Sequence, residues 1–206
     1  MTVVVVGCGY IGCALAGQLA EAGHEVTGVR RSPDGLERVA AIDDSVEAIR
    51  ADATLPATLE SLPDADTVVF AASAGGRGAD VAREVYVEGL RNVLEEYGMR
   101  ADPPDRLVYT SSTGVYGNHD GGWVDETTPI DPTTAKTRVL ATAETVALSE
   151  ATSYGIDGTV ARFAGLYGPD RYRLERYLEG PVTAGYLNMV HRDDAAGAVR
   201  YLLEAD

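Results

Sequence analysis

The chain has 206 residues, of which 45% are apolar, and this is enough material for one sizeable hydrophobic core. Its 17 basic and 32 acidic residues leave a net charge of −15, which disfavours nucleic acid and anionic membranes as partners because both require a basic face. Lysine occurs once, at Lys136. An acidic, lysine-poor chain is typical of halophilic proteins, although a codon preference for arginine would give the same composition.

Apolar runs of strand length alternate with longer helical patterns along the chain. The predicted strands cover 2–6, 24–30, 46–52, 65–73, 106–110, 156–164 and 186–190. The predicted helices cover 10–23, 32–42, 55–62, 78–98, 134–153, 171–180 and 192–206. Strands that alternate with helices predict an α/β fold, a doubly wound parallel sheet covered on both faces. No repeat or linker interrupts the pattern, so we expect a single domain over residues 1–206.

The cysteines and the N-terminus carry no signal for export. Cys8 and Cys13 are five positions apart, which fits neither a zinc knuckle nor a CxxC pair. We interpret them as small packing residues in a reducing cytoplasm and expect no metal site. The apolar N-terminus has no basic region before it and glycines interrupt it, so we expect neither a signal peptide nor a membrane span.

The first predicted strand runs into a glycine-rich turn. In "VVVVGCGYIG", Gly7, Gly9 and Gly12 have G-x-G-x-x-G spacing between a buried strand and a helix. The first glycine permits the tight turn, the second lets main-chain N–H groups reach a pyrophosphate, and the third allows close packing of helix and strand. Because a helix N-terminus also attracts anions, we predict that this turn, with Tyr10 and Ile11, binds a dinucleotide.

The second predicted strand ends in two arginines. An acidic residue usually binds the adenosine ribose at this place, about 20 residues after the glycines. Arg30 and Arg31 instead offer guanidinium groups that can pair with a 2′-phosphate. The sequence therefore favours NADP(H) over NAD(H), and the alternative is that both arginines are simply solvated.

Motifs along nearly the whole chain resemble one family, the extended short-chain dehydrogenases/reductases, and within it the NAD(P)-dependent epimerases/dehydratases. The matching stretches, in family order, are "VVVVGCGYIG", "GHEVTGVRRS", "RADAT", "VVFAAS", "LVYTSSTGVYG", "DETTP", "ARFAGLYGPDR" and "NMVHRDDAAGAV". The resemblance implies a Rossmann-type NAD(P)-binding domain. It also implies a nucleotide sugar or a related hydroxyl or carbonyl compound as substrate.

The resemblance further implies roles for particular residues. Ser112, in "SSTGVYG", would be the catalytic hydroxyl that hydrogen-bonds the reacting oxygen of the substrate. The remaining cofactor contacts would be Asp52 and Ala53 at the adenine, Ala71, Ala72 and Ser73 along the far side of the cofactor, and Phe163, Ala164 and Gly165 near the nicotinamide.

The usual partner of this serine is absent. Family members carry Tyr-x-x-x-Lys on the next helix, where the tyrosine is the acid/base and the lysine lowers its pKa and holds the nicotinamide ribose. Here Pro132 stands four residues before Lys136. An alignment on the "AE" at 143–144 instead puts Lys136 at the tyrosine position and Leu140 at the lysine position. Neither alignment restores the dyad.

Other residues could exchange a proton with the substrate. Lys136 could serve as a base if it is buried near the cofactor. Tyr116 follows the serine, but it is mainly structural in related proteins, and His119 and Asp120 lie in a polar loop that could reach a substrate. For each of these residues a satisfied or exposed side chain is the simpler interpretation.

Two further patterns are interpreted as structural. The pairs Tyr167 with Arg171 and Tyr172 with Arg176 have the spacing of the missing dyad, but we expect them to be solvated loop residues. The "HRDD" segment at 191–194 resembles a metal cluster, and we interpret Asp193 or Asp194 as a helix N-cap.

The resemblance also bears on size and assembly. Family members usually continue past the last predicted helix, so an end at Asp206 predicts a small, open substrate lobe, to which residues 165–191 contribute. The predicted helix 78–98 aligns with a helix of the family's dimer interface, which predicts a homodimer. Burial against the chain's own sheet would explain the same apolar stripe of Val81, Val85, Leu90, Val93 and Leu94.

Two functions are consistent with these observations. In the first, the chain is an NADP(H)-dependent epimerase, dehydratase or reductase in which the cofactor carries the hydride beside Ser112. In the second, it is a dinucleotide-binding sensor or scaffold without turnover. The missing dyad favours the second function, and the retained "YTSSTGVYG" favours the first.

Overall fold

The computed structural model describes residues 1–76, 78–172, 178–181 and 186–205. Its central sheet has six parallel strands in the order β3-β2-β1-β4-β5-β6. The strands are β1 Thr2–Val6, β2 Glu25–Arg30, β3 Val46–Arg50, β4 Thr67–Phe70, β5 Arg106–Ser112 and β6 Asp157–Phe163. The winding reverses between β1 and β4, which opens a cleft at the carboxyl ends of these two strands. The predicted doubly wound Rossmann-type fold is confirmed.

Helices cover both faces of the sheet. They are α1 Tyr10–Glu21, α2 Pro33–Ala40, α3 (Ala79–Arg83, a wider π-helical turn at Glu84–Glu88, and Gly89–Gly98), α4 (Ala135–Thr145, a π-helical turn at Val146–Glu150, and Ala151–Ser153) and α5 Arg192–Glu204. Residues of α3 and α4 share one apolar core with the sheet, and residues of α1, α2 and α5 share the other. β1 lies between both cores, and its run of valines is buried on both faces, as expected of a central parallel strand.

The structure differs from the predicted elements near the cleft. β5 continues two residues beyond its predicted end because Ser111 and Ser112 pair with Arg162 and Phe163 of β6. A second, two-stranded parallel sheet joins β7, Gly165–Tyr167, to β8, Met189–His191. The sequence pattern missed β7, since three residues are too few to show a period. Residues 173–177, half of the predicted helix 171–180, lie outside the described residues.

The N-cap predicted for the last helix is wrong. α5 begins at Arg192, and the cap is the His191 side chain, which accepts a hydrogen bond from the Asp193 main-chain N–H at 3.3 Å. Asp193 and Asp194 lie in the first helical turn, where their charges face the positive end of the helix dipole. The helix itself begins at Arg192, as predicted, and its cap is the last residue of β8 because that short strand runs directly into the helix.

The apolar stripe of α3 is largely used within the chain. Val85, Leu90, Val93 and Leu94 belong to the apolar core on their own side of the sheet, whereas Val81 is 38% exposed. Packing against the sheet therefore explains most of the stripe without a second subunit. The homodimer stays a prediction.

Candidate functional site

The turn after β1 requires glycine at two places. Gly7 has a φ of +86°, and a Cβ atom on it would overlap the main chain of Ala72 at the end of β4. A Cβ on Gly12 would lie 2.9 Å from the Gly7 carbonyl oxygen, closer than real side chains come. The turn is thus wedged between β4 and α1, and only glycine permits this approach.

The N-terminus of α1 offers main-chain donors to the cleft. The first helical hydrogen bond runs from the Cys13 N–H to the Gly9 carbonyl at 2.9 Å, so the N–H groups of Tyr10, Ile11 and Gly12 have no partner within the helix. Gly9 supplies no side-chain cap, and the first turn carries no acidic residue that would compete for these donors. A pyrophosphate fits this arrangement, because the donors and the helix dipole both favour an anion.

One cavity of about 310 Å³ opens between the glycine turn, the end of β2 and the segment after β3. It brings together the residues predicted at the adenosine end of the cofactor. Its lining includes Gly7, Arg30, Arg31, Ser32, Asp52, Ala53, Ala72 and Ser73. Asp52 also orders this wall, since its Oδ1 accepts the main-chain N–H of Thr54 at 3.0 Å.

The two arginines of the cavity have different surroundings. Arg31 is 57% exposed, and its Nη1 lies 3.7 Å from Asp52 Oδ2. Arg30 turns inward: its Nε is buried without a hydrogen-bond partner in the described part of the chain, and its Nη1 would lie 3.1 Å from a Cβ on Gly9. Arg30 therefore places positive charge beside the glycine turn, and Arg31 is the arginine that is free to meet a ligand.

A second cavity, of about 490 Å³, lies at the carboxyl ends of β4, β5 and β6. It brings together Ser112 and Lys136 with the segments predicted to lie along the cofactor. Its lining includes Tyr10, Ile11, Ala71, Ala72, Ser73, Ser112, Lys136, Leu140, Phe163, Ala164, Gly165 and Arg171. Lys136 and Arg171 are cationic, and no aspartate or glutamate is among the described lining residues, although the chain carries a charge of −15.

Lys136 and Leu140 both face this cavity from one side of α4. A capping box formed by Thr134 and Thr137 fixes the start of that helix: each threonine side chain bonds to the main-chain N–H of the other. The spacing matches the alignment that puts lysine at the tyrosine position and leucine at the lysine position. Lys136 is exposed, however, so the burial expected for a lysine base is not present.

Ser112 ends β5 and begins a short 3₁₀ turn, Thr113–Tyr116. Its Oγ accepts the Gly114 N–H at 3.2 Å, which fixes the oxygen and leaves its hydrogen free to be donated into the cavity. The preceding residue, Ser111, also lines this cavity but is buried.

A buried polar network that the sequence did not reveal lies beneath Ser112. Ser111 Oγ donates to Glu144 Oε1 at 2.6 Å, and Arg162 binds the same carboxylate with Nη2 at 2.8 Å from Oε2. Arg162 Nη1 also donates to the Tyr116 hydroxyl at 2.8 Å, and that hydroxyl donates to the Asp125 carbonyl at 2.7 Å. The carboxylate and the tyrosine raise the pKa of Arg162, so its guanidinium stays charged.

This network joins β5, β6, α4 and the loop after Ser112. It engages Tyr116 in structural contacts, as the sequence analysis interpreted it. The only sequence signal was a glutamate on the apolar face of a predicted helix, since a buried carboxylate needs a partner. Nothing local identified Arg162 as that partner.

The other residues considered for proton transfer either line neither cavity or make contacts elsewhere. His119 and Asp120 are exposed and line neither of the two cavities; the His119 ring packs edge-on to Tyr116. The Tyr167 ring packs against His191, with centroids 5.1 Å apart. The Arg171 guanidinium lies over the Tyr10 ring, 4.1 Å from its centroid, and lines the larger cavity, so it is not the purely solvated residue that was expected.

The remaining pair falls on the edge of the described residues. Tyr172 is exposed, and Arg176 lies outside the described ranges.

Over the described ranges, no helix is both long enough and apolar enough to cross a membrane. Within the same residues, no three histidine, cysteine or acidic side chains are grouped as a metal would require.

Comparisons with known proteins agree with this architecture. A family model described as the NAD dependent epimerase/dehydratase family matches residues 3–204. Protein YeeZ of Escherichia coli K12 is 34% identical over 98% of this chain and 73% of its own length. A UDP-glucose 4-epimerase of Corynebacterium glutamicum is 27% identical over 79% of this chain and 51% of its own length.

Two solved structures have the same fold. A Methylobacillus flagellatus protein, assigned provisionally to the NAD-dependent epimerases/dehydratases, is 32% identical in sequence and has a TM-score of 0.78. The match covers 98% of this chain and 70% of that protein. A UDP-glucuronic acid 4-epimerase of Bacillus cereus, solved with UDP-glucuronic acid and NAD, has a TM-score of 0.79 at 20% identity, with 100% of this chain matched to 74% of that one.

Proposed function

The chain belongs to the NAD dependent epimerase/dehydratase family, and we propose that it oxidises or reduces a hydroxyl or carbonyl carbon of a nucleotide sugar or a related anionic compound with NADP(H). The observation that carries the proposal is the convergence of Ser112 and Lys136 on one cavity beside Phe163–Gly165 and the glycine turn. A bound nicotinamide cofactor supplies the hydride acceptor or donor in such a site.

Ser112 and Lys136 have different roles in moving a proton to or from the substrate. Ser112 donates its hydroxyl hydrogen to the reacting oxygen of the substrate and holds it in place, because its Oγ is already fixed by Gly114. Lys136 faces the same cavity from α4. Its ammonium form gives a proton to that oxygen when a carbonyl is reduced, and its neutral amine form takes the proton when a hydroxyl is oxidised. Leu140 leaves the nicotinamide ribose without the usual lysine, so this site holds that ribose less firmly than a complete dyad would.

The adenosine end favours the 2′-phosphate of NADP(H). Arg31 is exposed at the wall of the smaller cavity and can donate two parallel hydrogen bonds to a phosphate. Arg30 adds positive charge near the glycine turn. Asp52 is the one acidic residue of this wall, and Arg31 already contacts it at 3.7 Å.

The charge of the larger cavity supports an anionic substrate. Lys136 and Arg171 line it and no described carboxylate does, on a chain whose overall charge would otherwise repel anions. The curated relative named UDP-glucose 4-epimerase supports a nucleotide sugar as the first compound to test. We further propose that residues 1–206 belong to one cytoplasmic domain, in which 165–191 contributes to the substrate lobe.

A second candidate function is a dinucleotide sensor or scaffold without turnover. Leu140 favours it, because an apolar side chain at the lysine position of the dyad neither positions the cofactor ribose nor assists a proton transfer. The glycine turn and Arg31 would serve a sensor as well as an enzyme.

Binding and turnover measurements distinguish the two functions. We expect NADPH to bind more tightly than NADH in fluorescence titrations, and a panel of UDP-sugars to change the absorbance of the nicotinamide. Ser112→Ala should abolish that change while preserving NADPH binding, and Ser61→Ala, at a surface turn far from the cleft, should change neither. Tight NADPH binding without turnover of any compound, unaffected by Ser112→Ala, would support the sensor and contradict the enzyme.

A further inference from the structure

We propose that Cys8 and Cys13 form a reversible disulfide that weakens dinucleotide binding, which makes the glycine turn a site of oxidative modification. The inference rests on the proposed function only in assuming that this turn binds NADP(H). The sequence interpretation gave both cysteines a packing role. Their placement in the structure indicates more, because one lies inside the turn and the other in the helix that follows it.

The two sulfur atoms are already close. Cys8 stands between Gly7 and Gly9 and is 1% exposed, and Cys13 is half-buried one turn into α1. Their Sγ atoms are 3.8 Å apart, and the Cys13 thiol donates a hydrogen bond to the Cys8 carbonyl at 3.1 Å. A disulfide needs a separation of about 2.05 Å, so closure requires the sulfurs to approach by roughly 1.8 Å, through side-chain rotation together with a shift of the turn.

The surroundings make Cys13 the reactive thiol. The hydrogen bond from the Cys8 thiol, followed by the charges of Arg30, Arg38 and Arg192, lowers the pKa of Cys13 to about 7 against the opposing effect of burial. For Cys8 the pKa is raised by the same interaction and by burial. The thiolate is the nucleophilic form, so Cys13 is poised to react near neutral pH and Cys8 to resolve the product.

The oxidant that this reaction needs is a hydroperoxide. The Cys13 thiolate attacks one peroxide oxygen, the O–O bond breaks, and the leaving oxygen departs as water after taking up a proton, which leaves a sulfenic acid. The Cys8 sulfur then attacks the sulfenic sulfur, its thiol proton leaves with the hydroxyl group as a second water, and the S–S bond forms. Two thiols are oxidised by two electrons, and one hydroperoxide is reduced. A dithiol reductant reverses the reaction.

Closure acts on the binding site directly. Hydrogen bonds from Gly7 and Cys8 to the Val29 carbonyl, at 3.2 and 3.0 Å, hold the turn against β2. A bond between the two sulfurs pulls Cys8 toward α1 from the core side of the turn, where both side chains pack, and so displaces the main chain that carries the donors. Disulfide formation and dinucleotide binding are therefore linked, and each opposes the other by the same factor.

The test uses the whole chain, in which these are the only cysteines. Neither lysine nor arginine precedes Arg30, so trypsin releases both cysteines in one peptide whose mass falls by two hydrogens when the disulfide forms. We expect hydrogen peroxide to produce this loss and dithiothreitol to reverse it. We also expect the Kd for NADPH to rise about tenfold or more on oxidation, and bound NADPH to slow the oxidation.

Cys13→Ser is the matched control, because it removes the attacking thiol and keeps Cys8 in the turn. It should bind NADPH as the reduced parent does and lose the response to peroxide. The inference is overturned if the peptide keeps two free thiols, if Cys13 goes to the sulfinic acid without a disulfide, or if the disulfide forms and the Kd does not change. If the reduced parent binds no NADPH at all, the proposed function fails instead.

The rate of closure gives a second readout. It should rise between about pH 6 and pH 8, as the fraction of Cys13 thiolate grows. Arg38→Ala should shift that rise to higher pH, since it removes one of the positive charges around the thiol. A rate independent of pH over this range would contradict the assignment of Cys13 as the attacking group.

Discussion

At the end of the cleft proposed for the adenosine, which we call the adenosine end, the groups that would face a ligand are mostly main-chain atoms held by glycines. At the end proposed for the reaction, which we call the reacting end, they are side chains on three different elements. The glycine turn keeps the whole G-x-G-x-x-G pattern, and Gly7 touches the Ala72 main chain. At the other end Ser112, Lys136 and Leu140 line the larger cavity, and one alignment with the family puts the last two at the positions of its tyrosine and lysine.

The difference follows from what each end requires. A turn wedged between two strands and a helix tolerates no side chain, so any change there disturbs the sheet as well as binding. A side chain that faces a solvent-filled cavity can change without any cost to the fold, provided the elements that carry it stay in place. The buried network of Ser111, Glu144, Arg162 and Tyr116 holds those elements in place. The reacting end can therefore keep its shape although Lys136 and Leu140 differ from the tyrosine and lysine of the family's dyad.

The largest effect is expected when the buried network loses its carboxylate. Glu144→Ala leaves the Arg162 guanidinium without its buried partner, and we expect the free energy of unfolding to fall by about 3–5 kcal/mol in urea titrations. The matched control is Glu150→Ala, on the same helix as Glu144. It breaks the pair of Glu150 with Arg91 of α3, in which both side chains are about 40% exposed. It should cost about 1 kcal/mol or less. Equal losses in the two variants would show that burial does not set the strength of the network.

The next effect concerns the glycine turn. Gly7→Ala combines a φ of +86° with overlap on Ala72, and we expect NADPH affinity to fall at least about 100-fold by titration. Gly23→Ala has nearly the same φ, +84°, and nothing within 4 Å of the added Cβ. It should cost about 1 kcal/mol of stability and leave binding unchanged. If Gly7→Ala bound NADPH normally, the adenosine end would not be set by the main chain.

A smaller effect is expected at Arg31. Arg31→Ser removes a guanidinium that can pair with the 2′-phosphate, so NADPH should bind about tenfold more weakly while NADH changes little, which corresponds to the loss of about 1.5 kcal/mol from one charge-assisted hydrogen bond. Arg200→Ser, on α5 and outside both cavities, makes the same change in net charge. If Arg31→Ser weakened the binding of NADPH and NADH equally, Arg31 would not bind the 2′-phosphate.

The smallest effect lies at the start of α4, which carries Lys136. Thr134→Ala removes the side chain that accepts the Thr137 N–H at 3.1 Å, and the free energy of unfolding should fall by about 1 kcal/mol. Thr145→Ala, whose hydroxyl bonds only the Ala141 carbonyl one turn back, should cost less. A loss in Thr145→Ala as large as in Thr134→Ala would mean that the capping box does not fix this end of the helix.

The same comparison explains what the sequence could reveal. The β1 valines, the three glycines and the arginines at the end of β2 lie close together along the chain, so spacing alone predicted their elements. Gly7 and both arginines line one cavity in the structure. The fold followed for the same reason, since apolar runs of strand length alternate with helical patterns.

The contacts that the sequence missed join distant positions. The bond between Glu144 and Arg162 depends on the pairing of β5 with β6, in which Ser111 lies opposite Arg162. β7 is stabilised by β8, more than 20 residues later in the chain. The approach of Cys8 to Cys13 depends on how the turn enters α1, and the spacing of the two cysteines fits no common motif.

The most direct test is a crystal structure of the protein soaked with NADP⁺. We expect the pyrophosphate at the N–H groups of Tyr10, Ile11 and Gly12, the 2′-phosphate at Arg31, and the nicotinamide between Phe163–Gly165 and Ser112. A coenzyme found elsewhere, or a glycine turn that stays empty at saturating NADP⁺, would contradict the account of both ends of the cleft.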